Sequence, residues 1–159
     1  MTDETRRTFL ACERFYKVAD LLFTGTWENY LILDVDSIIR KKIEFPTEDW
    51  GLFTRQYEQN PGMKVAAGVV WLTLKVLPII EFWLWQARYI EKHWFADQIL
   101  WNITYQKFKE NEAYTFKQFD QTFLDWEFKS DTPIWTGKGD RKYSNECYLK
   151  EKEKWTMIS

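Results

Sequence analysis

The amino-acid sequence predicts an all-α protein with a single transmembrane helix at about residues 64–86, which continues into a long amphipathic helix and is flanked by short helices. Three observations carry that prediction. Residues 65–85 read VAAGVVWLTLKVLPIIEFWLW and hold 16 apolar residues in 21, and the window from Val65 to Trp83 averages about 1.7 on the hydropathy scale used for membrane spans. As a helix, that segment extends about 31 Å, the thickness of a bilayer's hydrocarbon core. Elsewhere apolar residues recur every three or four positions, the period of an amphipathic helix.

Residues 3–24 carry Phe9, Cys12, Tyr16, Ala19 and Phe23 on one face, with Gly25 as C-cap. A second helix from Thr26 is marked by Trp27, Leu31, Val35, Ile38 and Ile39 and ends in Arg40-Lys41-Lys42, three cations that suit a helix C-terminus. The run YLILDV inside it also fits a short strand, although its alternation is poor. Thr47 opens a third helix with Trp50, Phe53 and Tyr57 on one face, which Asn60-Pro61-Gly62 ends.

No breaker then appears before Asn111, so one helix is expected from about Met63 to Glu110. Thr115 caps a further helix bearing Phe116, Phe119, Phe123 and Trp126, residues 131–143 form a turn-rich loop, and Ser144 caps a last helix with Tyr148 and Trp155. The expected organisation is an extramembrane helical region at 1–62, the span and its extension at 63–110, and a helical tail at 111–159.

Within the span, Lys75 is central and Glu81 lies six residues on, about 120° around a helix, so neither neutralises the other. A central Lys costs about 2.5–3.5 kcal/mol of insertion energy. Lys75 therefore calls for an outside partner such as a carboxylate, and the pair is expected to anchor the span to neighbouring subunits. Trp50, Phe53 and Tyr57 on one side and Trp83, Trp85, Tyr89 and Trp94 on the other are expected to set its depth, because Trp and Tyr favour the headgroup boundary.

Composition narrows the chemistry. The chain has 159 residues, 45% of them apolar and 19% aromatic, too much bulky apolar surface for disorder. Lys and Arg number 22 against 24 Asp and Glu, a net charge of −2 without the basic excess of a nucleic-acid binder. One His and two Cys exclude zinc clusters and disulfide frameworks. Cys12 and Cys147 are expected to remain thiols, and no cofactor or metal is expected. The charged N-terminal stretch has no apolar run, so a secretory signal is not expected there.

Three motifs bear on catalysis, and each has a plainer reading. His93, the single histidine, has no nucleophile in a recognisable elbow beside it. Asp34-X-Asp36 resembles a metal or nucleotide-sugar signature, but on a helix residues two apart diverge by about 200° and cannot chelate one ion together. Gly137-Lys138-Gly139 suits a phosphate nest, yet lacks a Gly-rich strand–loop–helix context. The sequon Asn102-Ile103-Thr104 falls inside a helix. No catalytic set emerges.

The functional expectation is a non-catalytic accessory subunit of a large membrane complex, with other subunits and lipid as partners. Its layout resembles accessory subunits of mitochondrial respiratory-chain or ATP-synthase complexes, which implies the mitochondrial inner membrane. The alternative is a soluble, cytoplasmic, all-helical module binding a protein or a tetrapyrrole. Tyr16 to Trp27 (YKVADLLFTGTW), Phe45-Pro46 and Asp49 are similar to the opening of the tetrapyrrole-binding regulator of magnesium chelatase, over about a fifth of the chain. That family's Phe-Gly-Phe-Ser-Val segment and C-terminal hydrophobic loop are absent, so no binding residue carries across.

Overall fold

A computed structural model describes residues 3–55, 64–91, 95–137 and 139–156, with the backbone alone for 3–10 and 155–156. Helix α1 (Asp3–Thr24) leads to strands β1 (Asn29–Leu33), β2 (Ser37–Ile39), β3 (Trp50–Thr54) and β4 (Val65–Thr73). Helices α2 (Leu77–Ala87) and α3 (Ala96–Phe108) follow. Then come strands β5 (Phe116–Phe119), β6 (Leu124–Asp125) and β7 (Ile134–Thr136), and helices α4 (Arg141–Ser144) and α5 (Glu146–Thr156). The protein is mixed α/β, which overturns the all-α expectation.

The apolar run is not a membrane helix. It divides into β4, a 3-10 turn at Leu74–Val76, and α2, whose first turn holds Pro78. No helix among the described residues is long and apolar enough to cross a membrane. The physical reason is that a strand buried on both faces reads as continuous hydrophobicity, as a membrane helix does. Seven of the nine β4 residues are buried, Val65, Val69 and Val70 among them, and β-branched residues favour a pleated surface. Pro78 costs little where it stands, because the first helical turn has no intrahelical partner for its missing N–H.

The expected second helix is likewise a strand, a turn and a strand, β1 to β2, so the YLILDV run is extended as far as Leu33 and then turns. The third expected helix is β3, and the one at Thr115 is β5 followed by β6. Within 63–110 the expected continuous helix is absent: α2 stops at Ala87, and α3 begins only after Phe95, whose φ is 82°. The first and last helices do form where expected. Gly25, at φ 63°, closes α1 by donating from its N–H to Leu22 O. The cap of α5 is Asn145 rather than Ser144, its side-chain oxygen accepting from Tyr148 N–H at 3.1 Å.

The chain forms two compact units, Met1–Ile32 with Pro46–Gln118 and Leu33–Phe45 with Phe119–Ser159. The larger is built on a four-stranded sheet of order β1-β4-β3-β5, on which α3 packs through β4, with α1 and α2 against α3 and each other. Its centre is aromatic. Phe15 lies 5.4 Å from Trp83 and 5.3 Å from Trp101 by ring centroids, and all three are fully buried. Such contacts add about 0.5–1.5 kcal/mol each beyond the area they bury.

In the smaller unit the sheet has the order β2-β7-β6, with β2 antiparallel and β6 parallel to β7. Ile38, Phe128, Trp135 and Tyr148 form its core. Asp125, 4% exposed, organises the loop after β6. Its carboxylate accepts from the N–H groups of Glu127, Lys129 and Ser130 and from the Ser130 hydroxyl. Arg40 stacks on the Trp135 ring at 3.7 Å and donates to Ser130 O.

Candidate functional site

The residues expected to hold a span sit elsewhere. Lys75 is on the 3-10 turn, 58% of its side chain exposed, and its ammonium donates to Asp49 Oδ2 at 2.8 Å. The carboxylate it calls for is thus in its own chain. Glu81 is exposed on α2. Trp50, Phe53 and Trp83 are core residues, while Trp85 and Tyr89 are exposed on and just after α2. Tyr57, Trp94 and His93 lie outside the described residues. The sequon's Thr104 is fully buried and donates to Leu100 O. The helices implied by the tetrapyrrole resemblance give way to strands after Trp27.

Two motifs read apart in the sequence come together in the smaller unit. Asp34 follows the carboxyl end of β1, and Asp34-Val35-Asp36-Ser37 is a tight turn closed by Ser37 N–H donating to Asp34 O at 2.9 Å. The helical objection to Asp34-X-Asp36 therefore falls, since neither residue is helical. Val35 stands fully exposed at the tip.

Against this turn lies the loop between β7 and α4, which carries the Gly137-Lys138-Gly139 motif; Lys138 itself lies outside the described residues. Gly137 N–H donates to Asp36 O at 3.0 Å, and the buried Tyr148 hydroxyl donates to the same oxygen at 2.7 Å. The Asp36 carboxylate accepts from Lys142 Nζ at 2.9 Å and from the Thr136 hydroxyl at 3.3 Å. Two chain segments about 100 residues apart are thus pinned at one aspartate.

Gly137 is required by this approach. A Cβ there would lie 2.6 Å from the Tyr148 hydroxyl and 2.8 Å from Lys142 Cβ. Gly139, at φ 66°, holds a conformation that costs L side chains free energy.

Lys142 and Asp36 form an ion pair. The hydrogen bond to Asp36 holds the Lys142 ammonium above the ordinary lysine value, with burial pulling the other way. Burial, and then the negative Asp36, push the Tyr148 phenol up. Both groups remain protonated donors at neutral pH.

Two carboxylates are at hand, and no group of three His, Cys, Asp or Glu among the described residues could hold a metal ion. Magnesium-like ions are commonly held by one or two carboxylates together with phosphate oxygens. The turn therefore offers an ion at most two carboxylates, that of Asp36 already bonded by Lys142 and Thr136, and any ion would need a phosphorylated ligand to complete its shell.

A second polar cluster lies in the larger unit. The β3–β4 register jumps between Leu52, paired with Val70, and Phe53, paired with Ala66. Arg14, from α1, donates to Ala67 O at 2.9 Å in this irregularity and to Asp97 Oδ2 at 3.1 Å. Arg55 donates to Gln98 at 3.2 Å. Here the guanidinium satisfies a carbonyl that the bulge removes from the ladder.

Sequence reasoning missed Lys142, Thr136 and Tyr148 as site residues. The available signal was Lys142 closely following Gly-X-Gly, which gains meaning only once that loop meets Asp36. No protein-family model matches the chain, and no curated protein matches it.

Proposed function

We propose that the protein acts on a nucleotide diphosphate sugar, transferring the sugar to an acceptor hydroxyl, with the diphosphate held at the Asp34–Asp36 turn. One observation carries this reading: the Asp-X-Asp turn after a strand's carboxyl end and the Gly-X-Gly loop meet at Asp36, with Lys142 beside them.

The chemistry asks for these groups. In transfer, the acceptor oxygen bonds to the anomeric carbon as the bond from that carbon to the phosphate oxygen breaks. The diphosphate leaves with the electron pair, and the acceptor's proton passes to solvent. A divalent cation, when bound, would supply charge neutralisation of that leaving group. Asp34 and Asp36 would hold the ion, and Lys142 adds a positive charge at the same place. Gly137 and Gly139 keep the loop backbone close to the turn.

The test is release of nucleoside diphosphate from a panel of nucleotide sugars, with Mn²⁺ or Mg²⁺ and with chelator. Cation-dependent release that Asp36→Asn abolishes supports the reading. No release and no binding across the panel would remove it.

The accessory-subunit reading has lost the span that motivated it. It retains one observation, the exposed aromatics Trp27, Trp85 and Tyr89, which suit a protein partner.

A further inference from the structure

We infer that the loop of residues 126–130 is a strained latch with Asp125 as its catch. The carboxylate holds Phe128 left-handed inside the core of the smaller unit, and neutralising it frees the loop while β2 and β7 stay paired.

The strain is in the backbone. Phe128 has φ 61°, where the Cβ of an L residue crowds the following carbonyl. Phe is not among the residues that adopt this region readily, so the surroundings must impose it. The residue is buried between the exposed Glu127 and Lys129, with its ring 4.8 Å from Tyr148 and 5.6 Å from Trp135.

The catch is one carboxylate. Asp125 Oδ1 accepts from Glu127 N–H at 2.7 Å, and Oδ2 accepts from Lys129 and Ser130 N–H at 2.9 Å each. Donors on both sides of Phe128 thus converge on it. An ionised acceptor makes such bonds roughly twice as strong as a neutral one. Once the charge is lost, the strain favours a negative φ at Phe128, which turns the ring out and uncovers Trp135 and Tyr148.

The paired strands have supports of their own. They run in register from Ser37–Thr136 to Ile39–Ile134, and Arg40 Nη1 and Trp135 Nε1 each donate to Ser130 O at 3.1 Å. The charged side chains around the loop have other partners too. Glu127 pairs with Lys129 at 2.8 Å and lies 4.0 Å from Arg141, Arg40 lies 4.0 Å from Glu151 of α5, and Lys41 pairs with Asp131.

The test is amide hydrogen exchange followed by NMR. It compares the N–H groups of Glu127, Lys129 and Ser130 with those of Arg40 and Gly137, which donate to Pro133 O and Asp36 O and report on the paired strands. Asp125→Asn keeps the side chain's shape and removes its charge. At pH 6 this variant is expected to lose about tenfold or more of the protection at the three loop amides, with less than about twofold lost at the other two. Wild type taken from about pH 6 to pH 2.5 is expected to show the same local loss, and so is Glu127→Gln, because Asp125 and not Glu127 is the catch. The wild-type series decides the matter if Asp125→Asn does not fold. Loop and strand amides losing protection together would mean that Asp125 supports the unit as a whole, and the latch is overturned. Loop protection unmoved by acid, or a loss that disappears in Glu127→Gln, would overturn the role of Asp125.

Discussion

The Tyr148 hydroxyl donates to the main-chain oxygen of Asp36 over 2.7 Å, a bond between residues 112 apart in sequence. Tyr148 is a core residue of the smaller unit, 2% exposed. The position of the acidic turn is therefore tied to the packing of Ile38, Phe128 and Trp135 around that ring.

Tyr148→Phe keeps the ring and removes the bond, and is expected to cost about 0.5–1.5 kcal/mol in urea unfolding. Gly137→Ala places a methyl against the Tyr148 hydroxyl and ring, and is expected to cost about 1–3 kcal/mol. Because a Cβ at 137 would lie 2.6 Å from the hydroxyl that Tyr148→Phe removes, the double variant should depart from additivity. Additive losses would mean that Gly137 and Tyr148 do not meet as described.

Acid should weaken the fold through Asp125. Burial raises its pKa, but the N–H groups of Ser130 and Glu127, the Ser130 hydroxyl and Lys129 N–H outweigh burial and hold it below the ordinary carboxylate value. A depressed folded pKa gives stability that is complete above the unfolded value, about 3.9, and lost as pH falls through the folded value. Asp125→Asn is expected to lose about 1.5–3 kcal/mol at pH 7 and to show a shallower decline below pH 4. Urea midpoints of the two proteins that stay parallel down to pH 2 would contradict this.

Lys75→Leu distinguishes the turn from a membrane span. The Lys75–Asp49 pair is largely solvent-exposed on the lysine side, and exposed pairs contribute about 0.2–1 kcal/mol. Asp49 also accepts from the N–H and hydroxyl of Thr115, so the expected loss is small. Alkaline carbonate extraction should release both forms equally, whereas retention of the Leu variant in the membrane pellet would revive an inserted segment.

Trp83→Ala opens the aromatic centre of the larger unit. With Phe15, Tyr16 and Trp101 all packed on its ring, the expected loss is about 3–5 kcal/mol. A loss below 1 kcal/mol on thermal or urea unfolding would show that the ring is not central.

What was legible in the sequence followed local chemistry. Helix α1, its Gly25 cap and the final helix with Tyr148 all have signals confined to a turn or two of chain. The sheet was not legible, because its evidence is non-local. Val65 to Thr73 is apolar on both faces since both are covered, and hydropathy then has no period to distinguish strand from helix. That single misreading made Lys75 a charge at the centre of a membrane span. It had a parallel at Asp34 and Asp36, whose chelating potential was dismissed on helical geometry although they occupy a turn. The meeting of Asp36 with Gly137, Lys142 and Tyr148 depends on β2 pairing with β7, which no local pattern in 37–39 or 134–136 announces.

The most direct test is calorimetric titration of nucleoside diphosphates in the presence of Mn²⁺ into wild type, Asp34→Asn and Asp36→Asn. Saturable binding to wild type that vanishes with chelator and weakens at least tenfold in both variants is the predicted result. Undiminished binding in Asp36→Asn, or no binding of any nucleoside diphosphate to wild type, would contradict a diphosphate site at this turn.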